Sequence, residues 1–164
     1  MKLDKLYDGL ERIPNGDYVI NGDLIVDEDL TVELDDRLIV KGKIKAIKSI
    51  ISNASLIAGK GIEAGESIEA GESIDAGWGI KAGWGIQAEE GIEAGFGIKA
   101  GKGIEAGEGI EAGEGIKAKT FIYSERRIFA GISVYHSSDN CVKTIKCAEL
   151  RKGEICYGDL VINK

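Results

Sequence analysis

Histidine and proline occur once each in this chain of 164 residues, cysteine three times and threonine three times, and each scarcity excludes something. A single histidine, His136, leaves one possible imidazole base, and it sits in a polar stretch beside Ser137 and Ser138, the setting of a solvated side chain. Cys141, Cys147 and Cys156 are separated by six and nine residues and lack the paired Cys-x-x-Cys of a structural zinc site. An odd set of thiols late in the chain suits a reducing compartment, so a cytoplasmic location is expected. So few threonines rule out a flat threonine array for ice binding. No apolar run approaches a membrane span, and Lys2, Asp4 and Lys5 interrupt any leader-like segment after Met1.

What is abundant is glycine, 24 residues, in a chain that is still 43% hydrophobic. Flexible glycine-rich linkers lack such an apolar supply, so the glycines belong to a repeated turn. From Leu38 to Ile128 every sixth residue is Ile or Leu, through Ile44, Ile50, Leu56, Ile62 and onward without a miss. Two residues after each anchor stands a small residue, Ala in most steps, and Gly-x-Gly follows through the middle of the chain. A period of six is incompatible with an amphipathic helix, whose apolar residues recur near 3.6. It fits a three-residue strand with Ile and Ala inward and the residue between them outward, closed by a corner at which the glycines are expected to supply unusual backbone angles. Such a strand has no core of its own and needs an identical strand stacked above and below.

Three steps close a triangular coil of 18 residues, so the expected fold is all-β: a single-stranded parallel β-helix. Tyr18, Leu24 and Leu30 carry the anchors toward the N-terminus, and a two-residue insertion at Asp35-Asp36 precedes Leu38. The expected organisation is an N-terminal cap over 1–17, either a short helix or an irregular first coil, a repeat region over 18–130, and a C-terminal β cap over 131–164.

The formal charge of −7 is spread unevenly: −3 over residues 1–55, −7 over 56–118 and +3 over 119–164. An acidic middle speaks against direct binding to nucleic acid or to an anionic membrane and suits a basic partner. If residues eighteen apart lie over one another, the outward positions sort into rows. Asp75, Glu93 and Glu111 share one face. Glu69, Gln87 and Glu105 share another, with Glu72, Glu90 and Glu108 at its corner. Lys81, Lys99 and Lys117 form the third. Trp78, Trp84 and Phe96 occupy corner positions where most steps carry Glu or Lys, with Trp78 below Phe96. The carboxylate rows read either as solvated strand positions or as a binding face, and the aromatics either as a stabilising ladder or as interface anchors. The matches to Gly-x-Gly-x-x-Gly/Ala, such as Gly59-Lys60-Gly61-Ile62-Glu63-Ala64, recur with the corners and open no helix, so they carry no phosphate-binding meaning.

The stretch Leu38-Ile39-Val40-Lys41-Gly42-Lys43-Ile44-Lys45-Ala46, with the small residue after the large one, resembles the bactofilins. That resemblance implies a right-handed coil and a self-assembling scaffold. The tail Arg127-Ile128-Phe129-Ala130-Gly131 and Glu154-Ile155-Cys156-Tyr157-Gly158-Asp159-Leu160, joined to Gly-x-Gly-Ile-x-Ala steps, is similar to small repeat proteins of Gram-positive bacteria and their mobile elements. That setting implies an anti-defence role.

The expected function is therefore a non-catalytic interaction protein. Its acidic faces, through Glu69, Glu72, Asp75, Glu90, Glu93, Glu105, Glu108 and Glu111 with Trp78, Trp84 and Phe96, would imitate nucleic acid and inhibit a bacterial nucleic-acid-handling or defence enzyme in the manner of an anti-CRISPR protein. The alternative is a bactofilin-like scaffold. An acyltransferase-type enzyme ranks last, since it needs a histidine at a coil junction and a cofactor cleft. No cofactor, metal or small-molecule substrate is expected; the partner is a protein with a basic surface, or another copy of the chain.

Overall fold

The computed structural model of the chain describes residues 1–132 and 143–163. Among them there is no helix. Strands of three residues stack in parallel into about eight coils at the 18-residue spacing, forming a β-solenoid.

Each anchor begins a strand. Face A stacks Tyr18–Ile20, Leu38–Val40, Leu56–Ala58, Ile74–Ala76, Ile92–Ala94 and Ile110–Ala112. Face B stacks Leu24–Val26, Ile44–Ala46, Ile62–Ala64, Ile80–Ala82, Ile98–Ala100 and Ile116–Ala118. Face C stacks Leu30–Val32, Ile50–Ser52, Ile68–Ala70, Ile86–Ala88 and Ile104–Ala106. Within every one of these strands the first and third residues are buried. The middle residue of each is at least partly exposed, save Val19 in the lowest coil, as alternation along a strand requires. The offset is 20 residues between Tyr18 and Leu38 and 18 between Leu38 and Leu56, which places the insertion at Asp35-Asp36 in the coil where the spacing locates it.

The corners hydrogen-bond as regularly as the strands. Phe96 N–H donates to the Trp78 carbonyl one coil below at 2.9 Å, and Ile80 N–H donates to the Gly97 carbonyl one coil above at 3.1 Å. Here the expectation about glycine is corrected. No glycine of the repeated Gly-x-Gly corners has a positive φ; the positive values belong to Gly16, Gly22, Gly131, Gly153 and Gly158. At some corners glycine instead admits a close approach of the coils, although Glu89 occupies the equivalent position between Gly71 and Gly107. A Cβ on Gly83 would lie 1.9 Å from the Gly65 carbonyl oxygen, and one on Gly101 would lie 1.8 Å from that of Gly83.

The N-terminal segment is an irregular first coil, not a helix. Lys2–Leu3 continues face C by pairing with Thr31–Val32, and Glu11–Arg12 lies antiparallel to Tyr18–Val19 across the end of face A. The insertion holds it in place: Asp35 accepts from the Tyr18 hydroxyl at 2.6 Å and from Lys5 Nζ at 2.7 Å, and these partners keep its carboxyl well below the usual carboxylate range. Buried Asp17 receives both Nε and Nη2 of Arg37 at 2.9 Å.

The repeat region ends in a longer strand, Phe121–Ala130, and the described residues 143–163 of the region expected as a C-terminal β cap form strands on the same ladders. Phe121–Ala130 runs through two faces, pairing with Ile104–Ala106 and then with Ile110–Ala112. Thr144–Cys147 continues face B, Glu149–Tyr157 covers Phe121–Ala130, and Asp159–Ile162 forms the outermost rung of face B. Leu160 and Ile162 in that rung remain exposed. Cys147 is buried, as a small core residue, whereas Cys156 is exposed. His136, Ser137, Ser138 and Cys141 lie outside the described residues.

Candidate interaction faces

The Cα register superimposes the side chains as the 18-residue count requires. Asp75 pairs with Glu93 and Glu93 with Glu111; Glu69 pairs with Gln87 and Gln87 with Glu105; Lys81 pairs with Lys99 and Lys99 with Lys117. The corner between faces C and A carries Glu72, Glu90 and Glu108, linked rung to rung by Glu90 N–H to the Glu72 carbonyl at 3.2 Å and Glu108 N–H to the Glu90 carbonyl at 3.0 Å.

Faces A and C therefore meet at an acidic edge. Along it runs a groove of about 1190 Å³ lined by Glu72, Asp75, Glu90, Glu93, Glu108 and Glu111. Arg37 lines it at the bottom, and Arg126, Arg127 and Lys152 line it at the top beside Glu125 and Glu154. The corner carboxylates are oriented from below, with Ser55 Oγ donating to Glu72 at 2.7 Å and Ser73 Oγ donating to Glu90 at 2.9 Å. Glu108 pairs with Arg126 at 3.3 Å. Asp75, Glu93 and Glu111 have no ion pair among the described residues.

Burial weakens the acidity of two of these groups, Asp75 and Glu93. Removal from water raises the carboxyl of Asp75, and removal from water together with the charges of Asp75 and Glu111 raises that of Glu93. For a carboxyl raised on folding, the associated stability is fully present below its unfolded value, ordinarily 3.8 for Asp and 4.5 for Glu, and is lost as pH rises through the folded value. Asp75→Asn and Glu93→Gln are accordingly expected to raise the urea midpoint at neutral pH and to leave it unchanged near pH 3. Equal midpoints for the variants and the parent chain at neutral pH would show the row to be fully relaxed by solvent.

Face B differs. Glu63 sits between Lys45 at 3.3 Å and Lys81 at 3.1 Å, which holds its carboxyl below the usual range. Above it, Lys99, Lys117 and Lys146 have no ion pair among the described residues. The glycine floor of face B, with Trp78 and Phe96 along one wall and the lysines along the other, forms a groove of about 920 Å³.

The three aromatics do not form one cluster. Trp78 and Phe96 occupy successive rungs of the corner between faces A and B, while Trp84 lies at the corner between B and C with Lys102 Nζ 4.9 Å from its ring centre. They are 53%, 38% and 50% exposed, respectively. Ile57 and Phe129, on the outward row of face A and lining the acidic groove, escaped the sequence reading, although counting 18 residues either side of Asp75 and Glu111 finds them.

No group of His, Cys, Asp or Glu among the described residues could hold a metal ion. Among the described residues no helix is long and apolar enough to cross a membrane. Comparison with protein-family models, with curated proteins and with solved structures finds no match to this chain.

Proposed function

We propose that the chain is a non-catalytic interaction protein whose acidic edge imitates the charge of a nucleic-acid duplex and occupies the basic cleft of a bacterial enzyme that handles nucleic acid. One observation carries this reading. Glu69, Glu72, Asp75, Glu90, Glu93, Glu105, Glu108 and Glu111 lie on three consecutive coils around a single edge. With coils about 4.8 Å apart, eight carboxylates in three coils amount to one charge per about 1.8 Å of axis, against about 1.7 Å for double-stranded DNA.

The stacking makes the charges rigid. Carboxylates on adjacent rungs at about 4.8 Å repel by about 0.9 kcal/mol in water, and the hydrogen-bonded coils hold them there without further ordering. A cleft lined with Lys and Arg then gains the same counterion release that duplex binding would give.

The test is displacement of a fluorescent DNA duplex from purified DNA- and RNA-handling enzymes of a Gram-positive bacterium. Near-stoichiometric displacement from at least one enzyme is expected. Changing Glu69, Glu72, Glu90, Glu105 and Glu108 to Gln should weaken it at least a hundredfold and flatten its salt dependence. Displacement that survives those five substitutions unchanged would remove the imitation of charge.

A further inference from the structure

Among the described residues, the face A acids Asp75, Glu93 and Glu111 have no cation, and the face B lysines Lys99 and Lys117 have no anion. Asp75 and Lys81, which already pairs with Glu63, are outward residues of one coil, Glu93 and Lys99 of the next, and Glu111 and Lys117 of the one above. Any two copies of the chain share one rise per coil, so rows on parallel rods stay in step along their length. A partner of another repeat would drift out of step.

We propose that face A of one copy packs on face B of a second copy at equal height, and that this contact closes into a ring of about six copies around the corner carrying Trp78 and Phe96.

The geometry follows from the triangular section. Three faces set about 120° apart mean that a copy whose face A meets its neighbour's face B is turned by about 60° about the rod axis, and about six such turns close. A heterologous contact closes only if it adds no shift along the axis. Zero shift is also the arrangement that brings Asp75, Glu93 and Glu111 opposite Lys81, Lys99 and Lys117. The strands of faces A and B in one coil differ in height by about a third of a rung, roughly 1.6 Å, which a lysine side chain spans. In the same register Phe129 faces Lys146, a cation over an aromatic ring.

The corner between faces A and B becomes the hub. Trp78 and Phe96, exposed in the single chain, meet their counterparts at the ring centre, which gives these two aromatics a role that solvated corner positions lack. Face C and the Glu72, Glu90 and Glu108 corner stay on the rim. Ring formation and binding of a basic partner along the whole acidic edge share Asp75, Glu93 and Glu111, so a strong cationic partner competes with the ring.

Sedimentation velocity on the full chain tests the assembly. At low salt and rising concentration the mass should approach about six times the 17.5 kDa of one chain, and about 1 M salt should return it to one chain. Lys99→Glu with Lys117→Glu should weaken assembly at least tenfold, and Glu93→Lys with Glu111→Lys should do the same. The chain carrying all four substitutions restores opposite charges across the contact and should assemble again. In a Trp84→Phe background, Trp78 emission should shift to the blue on assembly. Far-UV circular dichroism establishes that each variant is folded.

A chain that stays monomeric at millimolar concentration overturns the proposal, as does a four-substitution chain that fails to reassemble while folded. Duplex displacement separates this inference from the proposed function. Lys99→Glu with Lys117→Glu breaks the ring and leaves displacement intact, whereas the five Glu→Gln changes on face C and its corner abolish displacement and leave the ring.

Discussion

Ile92→Asp is expected to yield no folded rod, while Glu93→Gln, one residue along, is expected to keep the fold and to raise the urea midpoint at neutral pH. Ile92 is buried at the centre of the repeat, between Ile74 below and Ile110 above. Ile92→Val should cost about 1 kcal/mol and Ile92→Ala about 3 kcal/mol, the loss of buried methyl groups plus the cavity they leave. A carboxylate in the same place has no hydrogen-bond donor in a lumen of Ile and Ala, and a buried unpaired charge costs on the order of the whole stability of a small domain. Each coil touches only the coils above and below, so a failure in the middle is not bypassed. Far-UV circular dichroism and size-exclusion profiles of the pair check this. A folded Ile92→Asp protein would mean that the anchors do not line a closed core.

Deletion of residues 1–16 is the second large effect, a loss on the order of 5–8 kcal/mol with aggregation above micromolar concentration. The segment contributes fully buried Leu3 and brings Tyr7 and Leu10 against the core. It also supplies the Met1 and Leu3 carbonyls, which accept from Thr31 N–H and Glu33 N–H at 2.9 Å. Without it the first rung of face C becomes an open parallel edge, and Tyr18–Val19 lose the strand paired with them. The ion pairs of the segment matter less. Lys5–Asp35 and Lys2–Glu33 are both solvent-exposed, and removing either is expected to leave the urea midpoint nearly unchanged. Urea midpoints of the deletion beside Lys2→Ala and Lys5→Ala separate the two contributions. A deletion protein with the parent midpoint would show that the end needs no cover.

The coil was legible because a solenoid is nearly one-dimensional. Its contacts lie at a fixed sequence distance, so counting eighteen residues from Asp75 finds Glu93 as surely as the coordinates do. The shift to twenty at Asp35-Asp36 was legible for the same reason. The end of the chain was not. Ile145 stands over Ile116 and Ile155 over Ile128, at distances of 29 and 27 residues, and no constant period predicts either. The purpose of the corner glycines was misread from a general rule about turns. Their carbonyl neighbours belong to another coil, and a local preference for φ carries no information about that distance.

Sequence alone determined which residues face inward, which face outward, and which stand in each vertical row, because strand alternation and a period of six are properties of the chain taken step by step. Only the tertiary structure decided what those rows experience. It set the serine hydroxyls under Glu72 and Glu90, left Asp75 and Glu93 partly stripped of water, paired Glu63 with two lysines and gave Lys99 and Lys117 no ion pair among the described residues. Solvation and charge pairing depend on distances across the corners, between atoms that the linear order separates by no fixed count.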